Sequence, residues 1–92
     1  MRTKVYFFHR EDCAACAEQR PEVEKFAAAN PDVEVILWDV VERAWPWPKV
    51  KPPTVTPAFA CIDAKGVRTL SGYFLESDVL ARWVRREKVL LK

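Results

Sequence analysis

Two cysteines separated by two alanines are the residues of this chain best suited to chemistry. Cys13 and Cys16 follow an apolar run and stand where a helical stretch begins. Thiols three residues apart in a first helical turn lie on one face, close enough to form a disulfide. The helix N-terminus offers them unpaired N–H groups and a positive dipole end, which stabilise a thiolate. This pattern predicts dithiol–disulfide exchange, with Cys13 as the exposed attacking thiolate and Cys16 as the resolving thiol.

Charged residues next to Cys13 are expected to tune its reactivity in opposite directions. Arg10 and the helix dipole should lower the pKa of the Cys13 thiol, whereas the carboxylate of Asp12 should oppose them. Asp12 also has a competing structural role as the N-cap of the helix. His9 ends the preceding strand and is more often a polar strand-terminal residue than a catalytic base.

The third cysteine, Cys61, lies in an apolar run and is predicted to be a small buried hydrophobe. A zinc site needs four ligands, and besides Cys13 and Cys16 only His9 and Cys61 could complete such a set. We therefore expect neither a metal nor a cofactor. The alternative function is a binding module in which the CxxC pair is structural or holds a metal.

Length and composition predict one small domain over residues 1–92. Hydrophobic residues make up 50% of the chain, which is enough for a single core. Three cysteines are too few for a secreted disulfide scaffold, and the first apolar run is too short for a signal peptide or a membrane span. We expect a cytoplasmic, monomeric protein that binds no membrane. The formal net charge of +2 is mild and predicts no nucleic-acid partner.

Apolar runs and helix breakers predict an α/β fold. Pro31 ends the first helix, Gly66 supplies a hairpin turn and Ser77 is a plausible N-cap for the last helix. Two strands joined by a helix form a parallel βαβ unit, so the sheet should be four-stranded and mixed, with helices on its faces. The predicted order is strand 4–9, helix 13–29, strand 33–41, irregular 42–53, strand 56–62, strand 66–71 and helix 77–90.

The irregular segment contains the sequence Trp45-Pro46-Trp47-Pro48, followed by two lysines and two further prolines. It cannot form a regular helix, because each proline removes a backbone donor. One interpretation is that the indoles cover the sheet in place of a helix. The other is that loop 45–48 is a basic-edged interaction surface that helps to select a partner.

Together these features resemble the thioredoxin superfamily, in a short form close to the glutaredoxins. The CxxC pair stands at a strand-to-helix junction, and Pro21 falls where the family often has a helix-kinking proline. Pro57 follows Thr56 and lies 44 positions after Cys13, where the family's cis-proline faces the thiols. A hairpin with Gly66 at its turn, then Gly72 and a closing helix, completes the pattern, which covers nearly the whole chain.

The resemblance implies a thioredoxin-like fold and a thiol–disulfide oxidoreductase that reduces disulfides in proteins or small molecules. Pro57, if cis, would present Thr56 to an extended substrate, which could pair with its backbone in β fashion. Arg10 stands where glutaredoxins often have a substrate-binding lysine. Electrons would come from glutathione or from a thioredoxin-reductase-like flavoprotein.

Two departures from the family bear on mechanism and on the electron donor. Phe7 occupies the position of the buried aspartate that assists proton transfer in thioredoxins. Glutaredoxins tend to bind glutathione with a Gly-Gly pair after the last strand, whereas Ser71-Gly72-Tyr73 supplies one glycine. The second departure predicts weak glutathione dependence.

Overall fold

A four-stranded mixed sheet organises the chain, and a computed structural model describes it over residues 2–91. The sheet has the strand order β2-β1-β3-β4, and only the β1–β2 pair is parallel. The predicted βαβ unit and mixed sheet are therefore confirmed. The elements in chain order are β1 (Lys4–His9), α1 (Ala14–Ala29), β2 (Glu34–Asp39), β3 (Ala58–Asp63), β4 (Gly66–Ser71) and α2 (Ser77–Val84).

Both helices pack against the same face of the sheet. Val5 and Phe7 point to this face from the central strand β1, because alternate residues of a strand share a face. They meet Phe26 of α1 and Leu80 of α2 in one buried cluster. Since α1 and α2 also contact each other, one sheet face carries two helices and the main core of the protein.

The opposite face of the sheet is covered by tryptophans instead of a helix. Tyr6 and Phe8 of β1 point to this side, where Trp38, Trp45 and Trp47 pack around them. The ring of Trp45 lies 4.9 Å from that of Phe8, and the ring of Trp47 lies 4.8 Å from that of Tyr6. Each indole buries a large apolar area, so two of them can cover the sheet face that a helix would otherwise cover. This confirms the interpretation of the Trp-Pro segment as a cover for the sheet.

Several predicted boundaries were wrong for reasons that the side-chain contacts explain. The strand predicted over 33–41 ends at Asp39, because the Asp39 carboxylate accepts the N–H groups of Val41 and Glu42 and turns the chain. The strand predicted from residue 56 begins at Ala58, two residues later. The first helix begins at Ala14 instead of residue 13, because Cys13 is its N-cap.

The last helix is shorter than its apolar pattern predicts. Instead of ending at residue 90, α2 stops at Val84, and Arg86 adopts a left-handed backbone conformation with φ of 62°. The guanidinium of Arg68 donates to the carbonyl oxygens of Trp83 and Val84 at 2.7 and 3.0 Å. These bonds satisfy helix-end acceptors that would otherwise lack partners.

The predicted N-cap of α2 was also wrong. Glu76 occupies the cap position, and the N–H of Ser77 donates to the carboxylate of Glu22 at 2.9 Å. The first turn of α2 is thus capped by a side chain from α1. This bond, together with Lys25, holds the pKa of Glu22 below its usual range. Within residues 2–91, no helix is long and apolar enough to cross a membrane.

Candidate dithiol active site

The two cysteines of the CxxC motif lie where β1 passes into α1. Their Cα atoms are 5.2 Å apart, and their Sγ atoms are at disulfide distance. Cys13 is half-buried in an extended conformation ahead of the helix, whereas Cys16, one turn inward, is only 4% exposed. The structure therefore brings together the two predicted catalytic residues and makes Cys13 the more accessible sulfur.

The sulfur of Cys13 is itself the N-terminal cap of α1. The backbone N–H of Cys16 donates to the Cys13 Sγ across 3.1 Å. An N–H group directed at the sulfur from a helix N-terminus, where the dipole is positive, stabilises negative charge there. After reduction of the Cys13–Cys16 disulfide, an N–H in this place would stabilise a thiolate on Cys13, the more exposed of the two residues.

Asp12 does not cap the helix, contrary to one interpretation of the sequence. Its carboxylate makes a two-pronged ion pair with Arg10, with nitrogen–oxygen distances of 2.9 and 3.3 Å. This pairing holds the pKa of Asp12 below its ordinary value. Arg10 is therefore engaged by Asp12, which weakens the charge that it can direct toward Cys13.

Thr56 reaches Cys13 from the other side of the site. The Thr56–Pro57 peptide bond is cis, and the Thr56 carbonyl oxygen lies 3.6 Å from the Cys13 Sγ. The Thr56 hydroxyl donates to the same sulfur at 3.5 Å. Pro57 is buried, and its carbonyl accepts the N–H of Gly72 at 3.4 Å. The chain segment 43 residues beyond Cys13 is thus placed against the reactive sulfur.

A cavity of about 370 Å³ opens beside the cysteines. His9 and Asp39 both line it and are register partners across the parallel β1–β2 pair. Phe7 also reaches the cavity and stacks on Phe59 at 5.4 Å, so an aromatic ring, and not a carboxylate, lies beside the cysteines at this position. Asp39 was not among the predicted site residues, although a carboxylate near the end of the apolar run 33–41 is the kind of group that a parallel strand places at the C-terminal edge of a sheet.

Cys61 lies apart from this site, in the core. It is fully buried, and Arg68 approaches its sulfur at 3.4 Å. Burial raises the pKa of the Cys61 thiol, so the neutral form is favoured. The prediction of a small buried residue is confirmed. In the part of the chain that the structure describes, no three or more His, Cys, Asp or Glu side chains are grouped to hold a metal ion.

No protein-family model matches the sequence, and no curated protein matches it either. Solved structures do match. A thioredoxin of Fasciola hepatica is 27% identical, with a TM-score of 0.69 over 95% of this chain and 82% of its own. Chloroplastic thioredoxin z is 23% identical, with a TM-score of 0.71 over 91% of this chain and 76% of its own.

A structure described only as a malarial protein has a TM-score of 0.76 at 19% identity. It is matched over its whole length and over 97% of this chain. The match to most of the length of two thioredoxins and the CxxC pair at the β1–α1 junction lead to the same conclusion. The resemblance to the thioredoxin superfamily is confirmed, and the chain has the thioredoxin fold.

Proposed function

We propose that this protein is a thiol–disulfide oxidoreductase that reduces disulfides in proteins or small molecules. The observation that carries the proposal is the position of the Cys13 sulfur. It is the accessible member of a pair at disulfide distance, and it accepts an N–H from the first turn of a helix. A purely structural disulfide does not require a hydrogen bond that would stabilise a thiolate on its more exposed cysteine.

The proposed reaction transfers two electrons in two exchange steps. The Cys13 thiolate attacks one sulfur of the substrate disulfide, forms a mixed disulfide and releases the other substrate sulfur as a thiolate, which takes a proton from water. Cys16, after losing its proton, then attacks the Cys13 sulfur, forms the Cys13–Cys16 disulfide and releases the second substrate thiolate. The 5.2 Å separation of the two Cα atoms permits this closure.

Substrate binding is assigned to Arg10, Thr56 and Pro57. Thr56 precedes β3 and touches the reactive sulfur, so an extended substrate could pair with its backbone while its cysteine meets Cys13. Pro57 holds this segment in the core. Arg10 lines the cavity of the cysteines, where its guanidinium can donate to a substrate carboxylate or carbonyl.

Each turnover oxidises the dithiol to the Cys13–Cys16 disulfide, so a two-electron donor must reduce this disulfide before the next turnover. We propose a thioredoxin-reductase-like flavoprotein in preference to glutathione, in a cytoplasmic setting and with the protein as a monomer. Tyr73 follows Gly72 where a second glycine would leave room for a tripeptide, and the residue is 36% exposed. A bulky ring at that place removes close backbone contacts that one exposed arginine does not replace.

The test of the proposed function combines activity with a metal and thiol analysis. The reduced protein should reduce a peptide disulfide, and the Cys13→Ser variant should not. Thiol titration of the unfolded protein should detect two thiols more after reduction than before it. Stoichiometric metal in the purified protein, without disulfide reduction, would instead support the alternative of a binding module with a metal-holding CxxC pair.

A further inference from the structure

A second groove lies beside the active site on the tryptophan-covered side of the molecule. Its volume is about 420 Å³. Trp38 and Trp45 line it together with segment 52–56, and Arg10 and Arg43 add its charged groups. We call this feature the Trp groove.

The Trp groove adjoins the reactive sulfur through Thr56 and Arg10. Thr56 is one of its lining residues, and the same residue contacts the Cys13 Sγ through its hydroxyl and carbonyl oxygen. Arg10 lines both the groove and the cavity of the cysteines. Because an extended residue advances about 3.3 Å, a substrate chain aligned on Thr56 would place a side chain one or two residues from its cysteine in the groove.

The charged side chains that line the Trp groove are all positive. Two guanidinium groups line it, and none of its lining residues is acidic. Arg10 is paired with Asp12, whereas no carboxylate in residues 2–91 lies within salt-bridge distance of Arg43. The Arg43 guanidinium rests 4.3 Å from the centre of the Trp38 ring, which holds it at the groove. The unpaired charge of the groove is therefore that of Arg43.

Two further features concern residues that line the Trp groove. The Nε1 donor of Trp38 is buried and has no hydrogen-bond partner among the described residues. Arg10 also lines a neighbouring depression that has four carboxylates, so an acidic side chain is disfavoured there but not in the Trp groove. The carboxylates are those of Glu11, Asp12, Asp39 and Glu42.

We propose that the Trp groove selects protein substrates that carry an acidic side chain one or two residues from the attacked cysteine, with Arg43 as the main contact. The occupant is a polypeptide, because alignment on the Thr56 backbone requires an extended chain. This inference rests on the proposed oxidoreductase function and adds a substrate class to it. A guanidinium held against an aromatic ring suits a carboxylate, with which it forms paired hydrogen bonds.

The test uses synthetic peptides whose single cysteine is held as a disulfide with 2-thiopyridine. Attack by Cys13 on the peptide sulfur releases thiopyridone, whose absorbance gives the second-order rate constant. Three peptides differ only in having Glu, Gln or Lys two residues from the cysteine. We expect the Glu peptide to react about three- to tenfold faster than the Lys peptide at low salt, with a smaller ratio at high salt.

Variants of Arg43 decide whether the groove is responsible. Arg43→Glu should reverse the preference between the Glu and Lys peptides, and Arg43→Lys should keep its direction. Lys88→Glu makes the same change of net charge at an exposed residue after α2, outside the groove, and should leave the ratio unchanged. Matching circular dichroism spectra would establish that the variants are folded.

The outcomes separate the inference from the function on which it rests. Equal rates for all three peptides with the wild-type protein would overturn the inference, as would a charge preference that Arg43→Glu and Lys88→Glu change equally. In both cases disulfide reduction itself would still be observed. If the reduced protein attacked none of the peptides, the proposed oxidoreductase function would fail first.

Discussion

Cys13 combines two tasks that helices usually give to different residues. N-caps are most often Ser, Thr, Asp or Asn, whose oxygen accepts an N–H of the first turn. Here the sulfur accepts it, from Cys16 at 3.1 Å. The nucleophile is therefore held by the hydrogen bond that would stabilise its charge. Serine is a good cap, so replacing Cys13 with serine removes the chemistry while keeping the helix start.

Because Cys13 is assigned as the attacking thiol and Cys16 as the resolving thiol, the two serine variants should differ in whether they trap a mixed disulfide with the substrate. Cys16→Ser should accumulate a mixed disulfide between Cys13 and the substrate, because no resolving thiol remains to release it. Cys13→Ser should lose disulfide reduction and trap little, since Cys16 is nearly buried. Mass spectrometry of the protein after reaction with a peptide disulfide measures both results.

Cys61 provides the control for the trapping experiment. Because it is buried in the core and contacts Arg68, Cys61→Ala should keep reductase activity close to wild type and cost about 1 kcal/mol of stability. An adduct found on Cys16 in the Cys13→Ser variant would reverse the assigned roles. Loss of activity in a folded Cys61→Ala variant would make Cys61 a third redox thiol.

At the scale of elements, one buried side chain ties α1 to the loop before α2. Gln19 is fully buried, and its amide donates to the Leu75 carbonyl at 2.7 Å and accepts the Leu75 N–H at 2.8 Å. Gln19→Ala should lower the free energy of unfolding by about 2–4 kcal/mol, because it leaves two buried backbone groups unpaired and a cavity beside them.

Urea unfolding of the Gln19 variant measures that loss. Glu18→Ala, at an exposed position of the same helix, is the matched control and should change stability by less than about 0.5 kcal/mol. If the two variants were equally stable, the amide clamp between α1 and Leu75 would have no energetic role.

A second connection joins the β3–β4 turn to the chain after α2 and makes stability depend on pH. The Asp63 carboxylate accepts two bonds from Arg86 at 3.0 Å and one from the Lys65 N–H at 2.8 Å. These partners hold the pKa of Asp63 well below the ordinary value of 3.8. The folded state thus binds the proton of Asp63 less readily than the unfolded chain does.

The sign of the pH effect follows from that difference. Asp63 contributes its full stability above the pKa of the unfolded chain, and this contribution is lost as the pH falls below about 4 toward the lowered pKa of the folded state. Wild-type protein should therefore lose more stability than Asp63→Asn between pH 6 and acid conditions. Urea unfolding at a series of pH values measures this difference, and parallel profiles for the two proteins would contradict it.

At the scale of the whole molecule, the sequence predicts the sheet and the site, but it does not predict the long-range side-chain hydrogen bonds that join the elements. The βαβ unit follows from local patterns, because breakers and apolar runs act over a few residues. The approach of Thr56 to Cys13, across 43 positions, is expected only from the resemblance to the thioredoxin superfamily. Gln19 resembles any polar helix residue, and its partner is 56 positions away. The end of α2 at Val84 likewise depends on a hydrogen bond from Arg68 of strand β4, and no pattern within α2 reveals that bond.

The choice of electron donor is also a property of the whole surface, because a donor must dock over the site from several elements. We expect faster turnover with NADPH and thioredoxin reductase than with glutathione and glutathione reductase, since a tripeptide bound beside Gly72 would meet the partly exposed ring of Tyr73. A side-by-side coupled assay of the two systems measures this preference. Saturable and faster turnover with glutathione would place the protein functionally with the glutaredoxins.

Tyr73→Gly tests the physical reason for the expected donor preference. If the ring excludes glutathione, the variant should gain glutathione-dependent activity relative to wild type. Phe74→Gly, at the neighbouring exposed position, is the matched control for the loss of an aromatic side chain. An equal gain in both variants would show that general loosening of this loop, and not the ring of Tyr73, is responsible.

The different coverings of the two sheet faces give each half of the molecule its own spectroscopic signal. Three of the four tryptophans lie on the helix-free face, and only Trp83 belongs to a helix. In a Trp83→Phe variant, indole fluorescence would come only from the helix-free face of the sheet. Far-UV circular dichroism would report mainly on the two helices on the other face. Coincident denaturation curves from the two signals would mean that both layers unfold as one cooperative unit. Separated curves would identify the indole layer as a local unfolding unit of its own.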